Sequence, residues 1–419
     1  PDYVTITVVG TNDVHGELVP QEDRGGLVTF SGYIANIREA RSNDGALLLL
    51  DAGDMWQGTL ESNLNEGKAV VAAYNALGYS AAAIGNHEFD FGPLGPKPIP
   101  EEVDDDPRGA LLARAAEADF PLLGANLIDS ATGDRVEWNN VQATRVVQKA
   151  GVRIGIIGVL TESTPRTTIA ANVRGLEIAP LAETIEEQAR VLRAGGASLV
   201  IVVAHAGSRC TVFDDPYDTS SCNMDDEIMR VAQALPAGLV DHIIGGHRHQ
   251  GIAHDVNGIA VTAAYSNARA FSRVDFTVER TTGTIVDRRI YPPQPIQLNQ
   301  PYEGLPVVPD DAVAEIVAEA EQVAADLKAE PLGVSLETPI PHRQRPESPL
   351  GNLFTDAVLQ MNDADVSSHN VWGGIRAELP QGEVTYGDVY RVMPFDNRIA
   401  IIELSGAELR KILEKQAHN

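Results

Sequence analysis

The sequence predicts an α/β fold in two domains, and three observations lead to that prediction. Short apolar runs alternate with amphipathic stretches as far as about residue 290, which is typical of strands and helices packed in layers. The 419 residues exceed the ~250 to 300 at which single cores stop growing. A Pro-rich stretch separates the two parts. We therefore expect a first domain over residues 1–300, a linker helix over 301–330, and a smaller second domain over 331–419.

The elements of the first domain are predicted from hydrophobic periodicity. Segments such as "GKAVVAAYNALG" and "IEEQARVLRA" have the spacing of amphipathic helices. Between such segments lie apolar runs short enough to be buried strands. These runs are "VTITVV", "ALLLLD", "AAAIG", "VRIGIIGV", "SLVIVVAH" and "DHIIGGH".

The second part of the chain begins after a linker from about Tyr291 to Asp311. Helical spacing then predicts a stiff helix from about Ala312 to Ala329, and "ESPLGNLFTDAVLQM" predicts another. The stretch "EVTYGDVYRVMPFDNRIAIIELSGAELRKILE" is expected to combine strands with a helix that starts near Ser405.

Charge and hydropathy exclude two classes of partner. The formal net charge of -27 argues against a nucleic-acid polymer, because phosphate backbones are held mainly by Lys and Arg. No apolar stretch approaches the ~20 residues that span a bilayer, so we expect no transmembrane segment. An anionic substrate would need local positive charge, most simply from metal ions.

The two cysteines bear on the compartment. Cys210 and Cys222 bracket a short polar loop that a disulfide can close, worth roughly 3 kcal/mol in loop entropy, although two unrelated thiols are the alternative. The chain begins at Pro1 instead of Met, which is compatible with a removed leader. Together these features favour an extracytoplasmic protein, whether periplasmic, secreted or on the cell surface.

Five polar motifs follow the predicted strands: "TNDVHGE", "DAGD", "GNHEFD", "VVAHAG" and "IIGGHRH". Loops at the carboxyl ends of strands in open α/β sheets can converge on one site. Imidazole with carboxylate and amide, without thiolate, suits Zn, Mn, Fe, Co or Ni. One such motif alone is more often structural, but five in order favour a metal centre. Their polar residues are Asp13, His15, Asp51, Asp54, Asn86, His87, Asp90, His205, His247 and His249.

This motif order resembles that of the calcineurin-like metallophosphoesterases, which have DxH, GD, GNHE, H and GHxH. The resemblance implies a four-layer α/β/β/α sandwich and a centre of two divalent metal ions. One metal would take Asp13, His15 and His249, the other would take Asn86, His205 and His247, and Asp54 would bridge both. Two cations would neutralise phosphoryl oxygens and activate a water for in-line attack.

The turn "GNHEFD" carries a second implied role. His87 resembles the family histidine that stabilises the transition state or protonates the leaving group, and Asp90 is placed to orient it. The alternative for His87 is to hold the loop. We expect Glu88 and Phe89 to be structural, and Asp51 to position its turn through backbone hydrogen bonds.

The C-terminal part resembles the substrate-binding domain of the 5′-nucleotidase family, through "ESPLGNLFTDA", "GGIRAELPQGEVTYGDVY" and "MPFDNR". The resemblance implies that Arg376 grips phosphate or carboxylate-like edges and that Phe395 stacks on a base. For either residue alone, a surface salt bridge or a core aromatic is the alternative.

This part also departs from the family pattern. Arg343 and Arg345 straddle the expected arginine position, so the residue that reaches substrate stays open. In "NVWGGIR", Asn370 lies one residue further from Arg376 than in the family, with bulky residues in place of glycines. Family members continue well past "ELRKILE", so we expect an incomplete domain here.

The leading hypothesis is a two-metal 5′-nucleotidase that converts nucleoside monophosphates into nucleoside and phosphate. The alternatives are a 2′,3′-cyclic phosphodiesterase, a UDP-sugar hydrolase or a thiosulfohydrolase-like enzyme. A non-catalytic nucleotide-binding protein would be expected to have lost ligands, and none of the predicted ligands is missing. The sequence leaves the metal and the oligomeric state open.

Overall fold

The computed structural model describes residues 2–21, 24–342 and 347–417. The chain divides into two compact units, one that ends at Glu330 and one that begins at Pro331. The finer predicted domain limits stay a prediction.

The first unit contains the predicted alternation of strands and helices. Its helices are α1 (Gly26–Ala40), α2 (Leu60–Asn63), α3 (Lys68–Leu77), α4 (Gly109–Glu117), α5 (Thr164–Thr167), α6 (Leu181–Ala194), α7 (Glu227–Ala234) and α8 (Asp311–Lys328). Its longer strands are β1 (Tyr3–Thr11), β2 (Gly45–Asp51), β7 (Thr144–Lys149), β8 (Val152–Leu160), β10 (Leu199–His205), β11 (His242–Gly245), β12 (Gly251–Val256), β13 (Ile259–Ala264), β14 (Ala270–Glu279) and β15 (Ile285–Ile290). Its short strands are β3 (Ala81–Ala83), β4 (Leu122–Leu123), β5 (Leu127–Asp129), β6 (Val141–Gln142), β9 (Leu176–Ile178), β16 (Gln294–Pro295), β17 (Pro301–Tyr302) and β18 (Leu305–Pro306).

Two mixed sheets form the centre of this unit. The larger has the order β15-β14-β1-β2-β3-β4-β6, with β16 beside β14, and the smaller has the order β12-β13-β11-β10-β8-β7. In the larger sheet β1 runs parallel to β2, and β2 runs parallel to β3. In the smaller sheet β10 runs parallel to both β8 and β11. The five strands that precede the polar motifs are therefore adjacent to one another within their sheets.

The strands bury both faces, which explains their nearly continuous apolar sequences. In β10, for example, Leu199 and Ile201 belong to a core that includes residues of both sheets, whereas Val200 and Val202 belong to a core with α6 and α7. The outer face of the larger sheet packs on α1, α3, α4 and α8. The layers are therefore α/β/β/α, and the predicted sandwich is confirmed.

Helix α8 packs on the first unit through its apolar stripe, which includes Val313, Val317 and Ala320. The Asp310 side chain caps its first turn by accepting from the Ala312 and Val313 N–H groups. The predicted linker helix is thus present within one residue of its expected ends, and it lies on the surface of the first unit.

The second unit is small. Strand β19 (Pro331–Leu336) pairs antiparallel with β20 (Gly382–Thr385), beside α9 (Pro349–Gln360), α10 (Val371–Gly374), α11 (Tyr386–Val392) and α12 (Gly406–Ala417). Its core contains Leu350, Ile375, Leu379, Val384 and Val392. The stretch from "EVTY" was expected to combine strands with a helix that starts near Ser405. It contains most of β20, and α12 begins at Gly406, but the expectation of further strands was wrong: residues 393–405 contain none, and the apolar side chains of Ile401 and Ile402 are exposed.

Two further features relate to the predicted location of the protein. The sulfur atoms of Cys210 and Cys222 lie 2.03 Å apart, joined as a disulfide. Among the described residues, no helix combines the length and apolar character needed to cross a lipid bilayer.

Candidate metal centre

The predicted ligands meet because each follows a central strand. Asp13 and His15 follow β1, Asp54 follows β2, Asn86 follows β3, His205 ends β10, and His247 and His249 follow β11. His247 and His249 are partly buried and the other five are buried, so the site is a pocket between the loops of the two sheets.

The donor atoms form two groups that share one carboxylate. The first contains Asp13, His15, Asp54 and His249, and the second contains Asp54, His205 and His247. Within each group the donor atoms lie within 4.8 Å of one another. The Asn86 Oδ1 joins the second group, 3.0 Å from the His205 Nε2 and 3.0 Å from the His247 Nδ1.

Hydrogen bonds turn these donor atoms towards the pocket. The His15 Nδ1 lies 2.7 Å from the Gln57 carbonyl oxygen and the His205 Nδ1 lies 2.8 Å from that of Ala52, so both Nε2 atoms face inward. Asn86 donates from Nδ2 to the Thr167 carbonyl at 2.8 Å, which leaves its Oδ1 facing the two histidines. Seven nitrogen and oxygen donors in two overlapping groups fit a pair of divalent metal ions.

The charges in the pocket favour cations. Burial raises the pKa of the Asp13 carboxyl, but the opposing effect of the nearby His249 is larger and brings the pKa down to about 2. Burial lowers the pKa of His205, yet the Asp54 carboxylate 3.1 Å away raises it to about 10. Burial, reinforced by the nearby His205, lowers the pKa of His247 to about 4. Buried carboxylates therefore hold negative charge that a divalent ion would neutralise.

The backbone is strained at the ligands. Positive φ angles occur at Asp13 (49°), His15 (50°), Asp54 (58°), His247 (70°) and His249 (55°). Such conformations cost on the order of 1 to 3 kcal/mol for a residue with a side chain, and they concentrate at functional sites. The surrounding strands and turns must therefore hold these loops against their local preference.

The turn that contains His87 connects with the shared carboxylate. The His87 N–H donates to the Asp54 Oδ1 at 2.9 Å, and its ring lies 5.5 Å from the His15 ring. The His87 Nδ1 lies 2.5 Å from the Asp90 Oδ2, and Thr168 donates its hydroxyl to the other Asp90 oxygen at 2.7 Å. Asp90 thus holds the His87 imidazole beside the pocket, and Thr168 holds Asp90 in place.

Two other acidic residues act on the backbone, as the sequence led us to expect. Glu88 accepts from the N–H groups of Asp54, Met55 and Gly85, and burial beside the Asp54 charge raises its pKa to about 8. Asp51 accepts from the Gly53 N–H at 2.7 Å and stays outside both groups of donors. Gly85 leaves room for this arrangement, since a Cβ there would lie 2.2 Å from the Asp54 Oδ1.

The sequence analysis missed one segment of this site. Residues 161–168 follow β8 and contact three predicted site residues: Ser163 contacts His247, the Thr167 carbonyl holds Asn86, and Thr168 holds Asp90. The polar sequence "TEST" directly follows the apolar run of β8, just as each of the five recognised motifs follows a predicted strand. This position could have identified the segment.

The predicted substrate residues lie in the second unit. The Arg376 Cζ lies 5.0 Å from the centre of the Phe395 ring. The Asn370 Oδ1 accepts from the Gly373 N–H at 3.3 Å and so caps α10. Arg343 and Arg345 lie outside the described residues.

Comparison with known proteins gives the family. The family model described as "Calcineurin-like phosphoesterase" matches residues 6–251, more than half of the chain. The chain belongs to the calcineurin-like phosphoesterase family. A second model, "5'-nucleotidase, C-terminal domain", matches residues 323–419 of this phosphoesterase. The predicted family is thereby confirmed.

Individual relatives are similar over nearly the whole chain but are longer. Endonuclease YhcR of Bacillus subtilis is 26% identical over 99% of this chain and 33% of its own length. Protein UshA of Yersinia enterocolitica is 26% identical over 97% of this chain and 75% of its own length. The crystal structure of a 5′-nucleotidase precursor from Thermus thermophilus matches with a TM-score of 0.71 and 25% identity, over 94% of this chain and 74% of that one. The chain thus spans about a third of the length of YhcR and about three quarters of the lengths of UshA and of the Thermus thermophilus protein.

Proposed function

We propose that this phosphoesterase hydrolyses nucleotide phosphate esters with two divalent metal ions, releasing nucleoside and phosphate from nucleoside monophosphates. The observation that carries the proposal is the pair of donor groups sharing Asp54. Asp13, His15 and His249 would hold one ion, and Asn86, His205 and His247 the other. Because the donors are nitrogen and oxygen without thiolate, Zn, Mn, Co, Fe and Ni all suit them.

The chain's own residues would perform defined parts of the reaction. Bound divalent ions supply charge neutralisation for phosphoryl oxygens and a nucleophilic water. Asp54 belongs to both donor groups and would contribute its carboxylate to each. His87 would stabilise the transition state or donate a proton to the leaving oxygen. Asp90 would support this role, because a carboxylate 2.5 Å from Nδ1 orients the ring and stabilises the imidazolium.

Nucleotide preference is proposed for the second unit. Arg376 offers a forked guanidinium for phosphate or carboxylate-like groups, and Phe395 offers a flat apolar face for a base. Asn370 and either Arg343 or Arg345 are proposed to assist them. The match of residues 323–419 to the 5′-nucleotidase C-terminal model supports this assignment.

One relative's name points to a different substrate. YhcR is called an endonuclease, which would make a nucleic-acid polymer the substrate. The net charge of -27 favours a small nucleotide here, because a polymer needs an extended basic surface.

Phosphate release tests the proposal directly. The metals are removed with a chelator, and Mn²⁺, Co²⁺ or Zn²⁺ is added back before assay with AMP, UDP-glucose, a 2′,3′-cyclic nucleotide, bis-p-nitrophenyl phosphate, thiosulfate-ester substrates and DNA. We expect metal-dependent turnover of AMP. Absence of turnover with every metal would contradict the enzyme assignment, and turnover of only the diesters or only DNA would replace nucleotidase by phosphodiesterase or nuclease.

We also propose an extracytoplasmic location. The disulfide between Cys210 and Cys222 supports it, because such bonds persist mainly in oxidising compartments. Cell fractionation, with thiol alkylation before lysis, would locate the protein and report its redox state.

A further inference from the structure

His247 is held differently from His15 and His205. His15 and His205 contact backbone carbonyls through Nδ1, and a carbonyl can only accept a hydrogen bond. These contacts fix the tautomer with Nε2 available to a metal. His247 is reversed: its Nδ1 faces Asn86, and its Nε2 lies 3.3 Å from the Ser163 hydroxyl.

A hydroxyl group alone cannot fix a tautomer, because it can donate or accept. Ser163, however, is the first member of a chain of polar groups. Its Oγ lies 3.0 Å from the Thr161 Oγ1, and Thr161 donates to the Glu227 Oε2 at 2.7 Å. The Thr161 side chain is buried after β8, and Glu227 lies in the first turn of α7.

The Glu227 carboxylate sets the direction of the hydrogen bonds in this series of polar groups. An ionised Glu227 only accepts, so the Thr161 hydroxyl proton points to it. The Thr161 oxygen then accepts from the Ser163 hydroxyl, and the Ser163 oxygen accepts from the His247 Nε2–H. This order leaves the His247 Nδ1 lone pair facing Asn86, where a metal ligand is required.

We propose that Ser163, Thr161 and Glu227 are positioning residues that fix the tautomer and orientation of His247 for metal binding. The inference rests on the proposed function, since it assumes that His247 binds a metal ion. It concerns only the group formed by Asp54, Asn86, His205 and His247. The other group contains Asp13, His15 and His249 and shares only Asp54 with this one.

The test is a titration of the metal-free full chain with Co²⁺, followed by calorimetry and by the visible spectrum of the bound ion. The wild-type chain is expected to bind two equivalents. Ser163→Ala, Thr161→Val and Glu227→Gln should each weaken one equivalent about 10- to 100-fold and change its spectrum, while the other equivalent is unchanged. Thr161→Ser retains the hydroxyl and should restore wild-type binding.

Two surface variants control for the chemistry of the substitutions. Thr184→Val removes a hydroxyl that donates to the Pro180 carbonyl, and Glu186→Gln removes a carboxylate paired with Arg190. Both should bind Co²⁺ like the wild type. Thermal unfolding of each metal-free variant shows whether the fold is retained.

The outcomes separate the possibilities. If Thr161→Val binds both equivalents normally, or if Thr161→Ser is as weak as Thr161→Val, the hydroxyl chain does not position His247. Equal weakening of both equivalents would also contradict the inference, because Ser163 acts on the centre through His247. A wild-type protein that binds no Co²⁺, Mn²⁺ or Zn²⁺ would instead overturn the proposed function on which the inference depends.

Discussion

At the scale of single residues, neighbours in sequence have different tasks. In "GNHEFD", the Asn86 Oδ1 faces two histidines, His87 contacts Asp90, and the Glu88 carboxylate binds three backbone N–H groups. The 3₁₀ turn His87–Phe89 separates these directions, because consecutive side chains in a tight helix point to different sides. In the proposed mechanism, this one short turn would thus serve metal binding, proton transfer and loop support.

This division predicts different defects for adjacent substitutions. Asn86→Ala should lose one of two bound metal ions, because it removes a donor oxygen from the second group. His87→Ala should keep both ions and lower kcat about 10²- to 10⁴-fold, the range for loss of a general acid. Metal content by mass spectrometry and kcat for AMP would be measured on the same preparations. A His87→Ala protein without metal would show that ligation and acid catalysis are not separated as proposed.

At the scale of elements, burial on both faces made the central strands predictable. Runs such as "SLVIVVAH" leave few alternatives to a buried strand, and the ligands follow because loops start where such runs end. Among the strands that were not predicted, β12, β14 and β15 contain charged residues that interrupt their apolar sequences. The positive φ angles at the ligands could not be predicted either, since the tertiary structure imposes them against local preference.

Strand β1 offers a matched test of buried hydroxyls. The Thr7 Oγ1 is buried, and the described residues provide it with no hydrogen-bond partner, whereas the Thr11 Oγ1 donates to the Asp51 Oδ2 at 2.6 Å. Thr7→Val should therefore raise the free energy of unfolding by about 1 kcal/mol, and Thr11→Val should lower it by about 1 to 3 kcal/mol. Denaturant unfolding of the metal-free protein measures both. Equal effects of the two substitutions would show that pairing of the hydroxyl is not what distinguishes them.

At the scale of the whole molecule, the two units divide the proposed chemistry. Every proposed metal ligand lies between residues 13 and 249, in the unit that ends at Glu330, whereas Arg376 and Phe395 lie in the unit that begins at Pro331. The metal centre would act on any accessible phosphate ester, so selection of nucleotides has to come from groups that recognise the nucleoside. Substrate preference and metal chemistry should therefore respond to different substitutions.

Substitutions in the second unit provide the test at this scale. Arg376→Ala should raise KM for AMP about 10-fold or more, and Phe395→Ala a few-fold, because each removes a contact to the nucleotide. Hydrolysis of bis-p-nitrophenyl phosphate, which has a phosphate but no nucleoside, should be nearly unchanged in Phe395→Ala and weakened in Arg376→Ala. Arg410→Ala, at an exposed arginine of α12, is the control and should behave like the wild type with both substrates. If Phe395→Ala slowed both substrates equally, Phe395 would support the fold instead of binding the base, and nucleotide selection would have to be sought elsewhere in the chain.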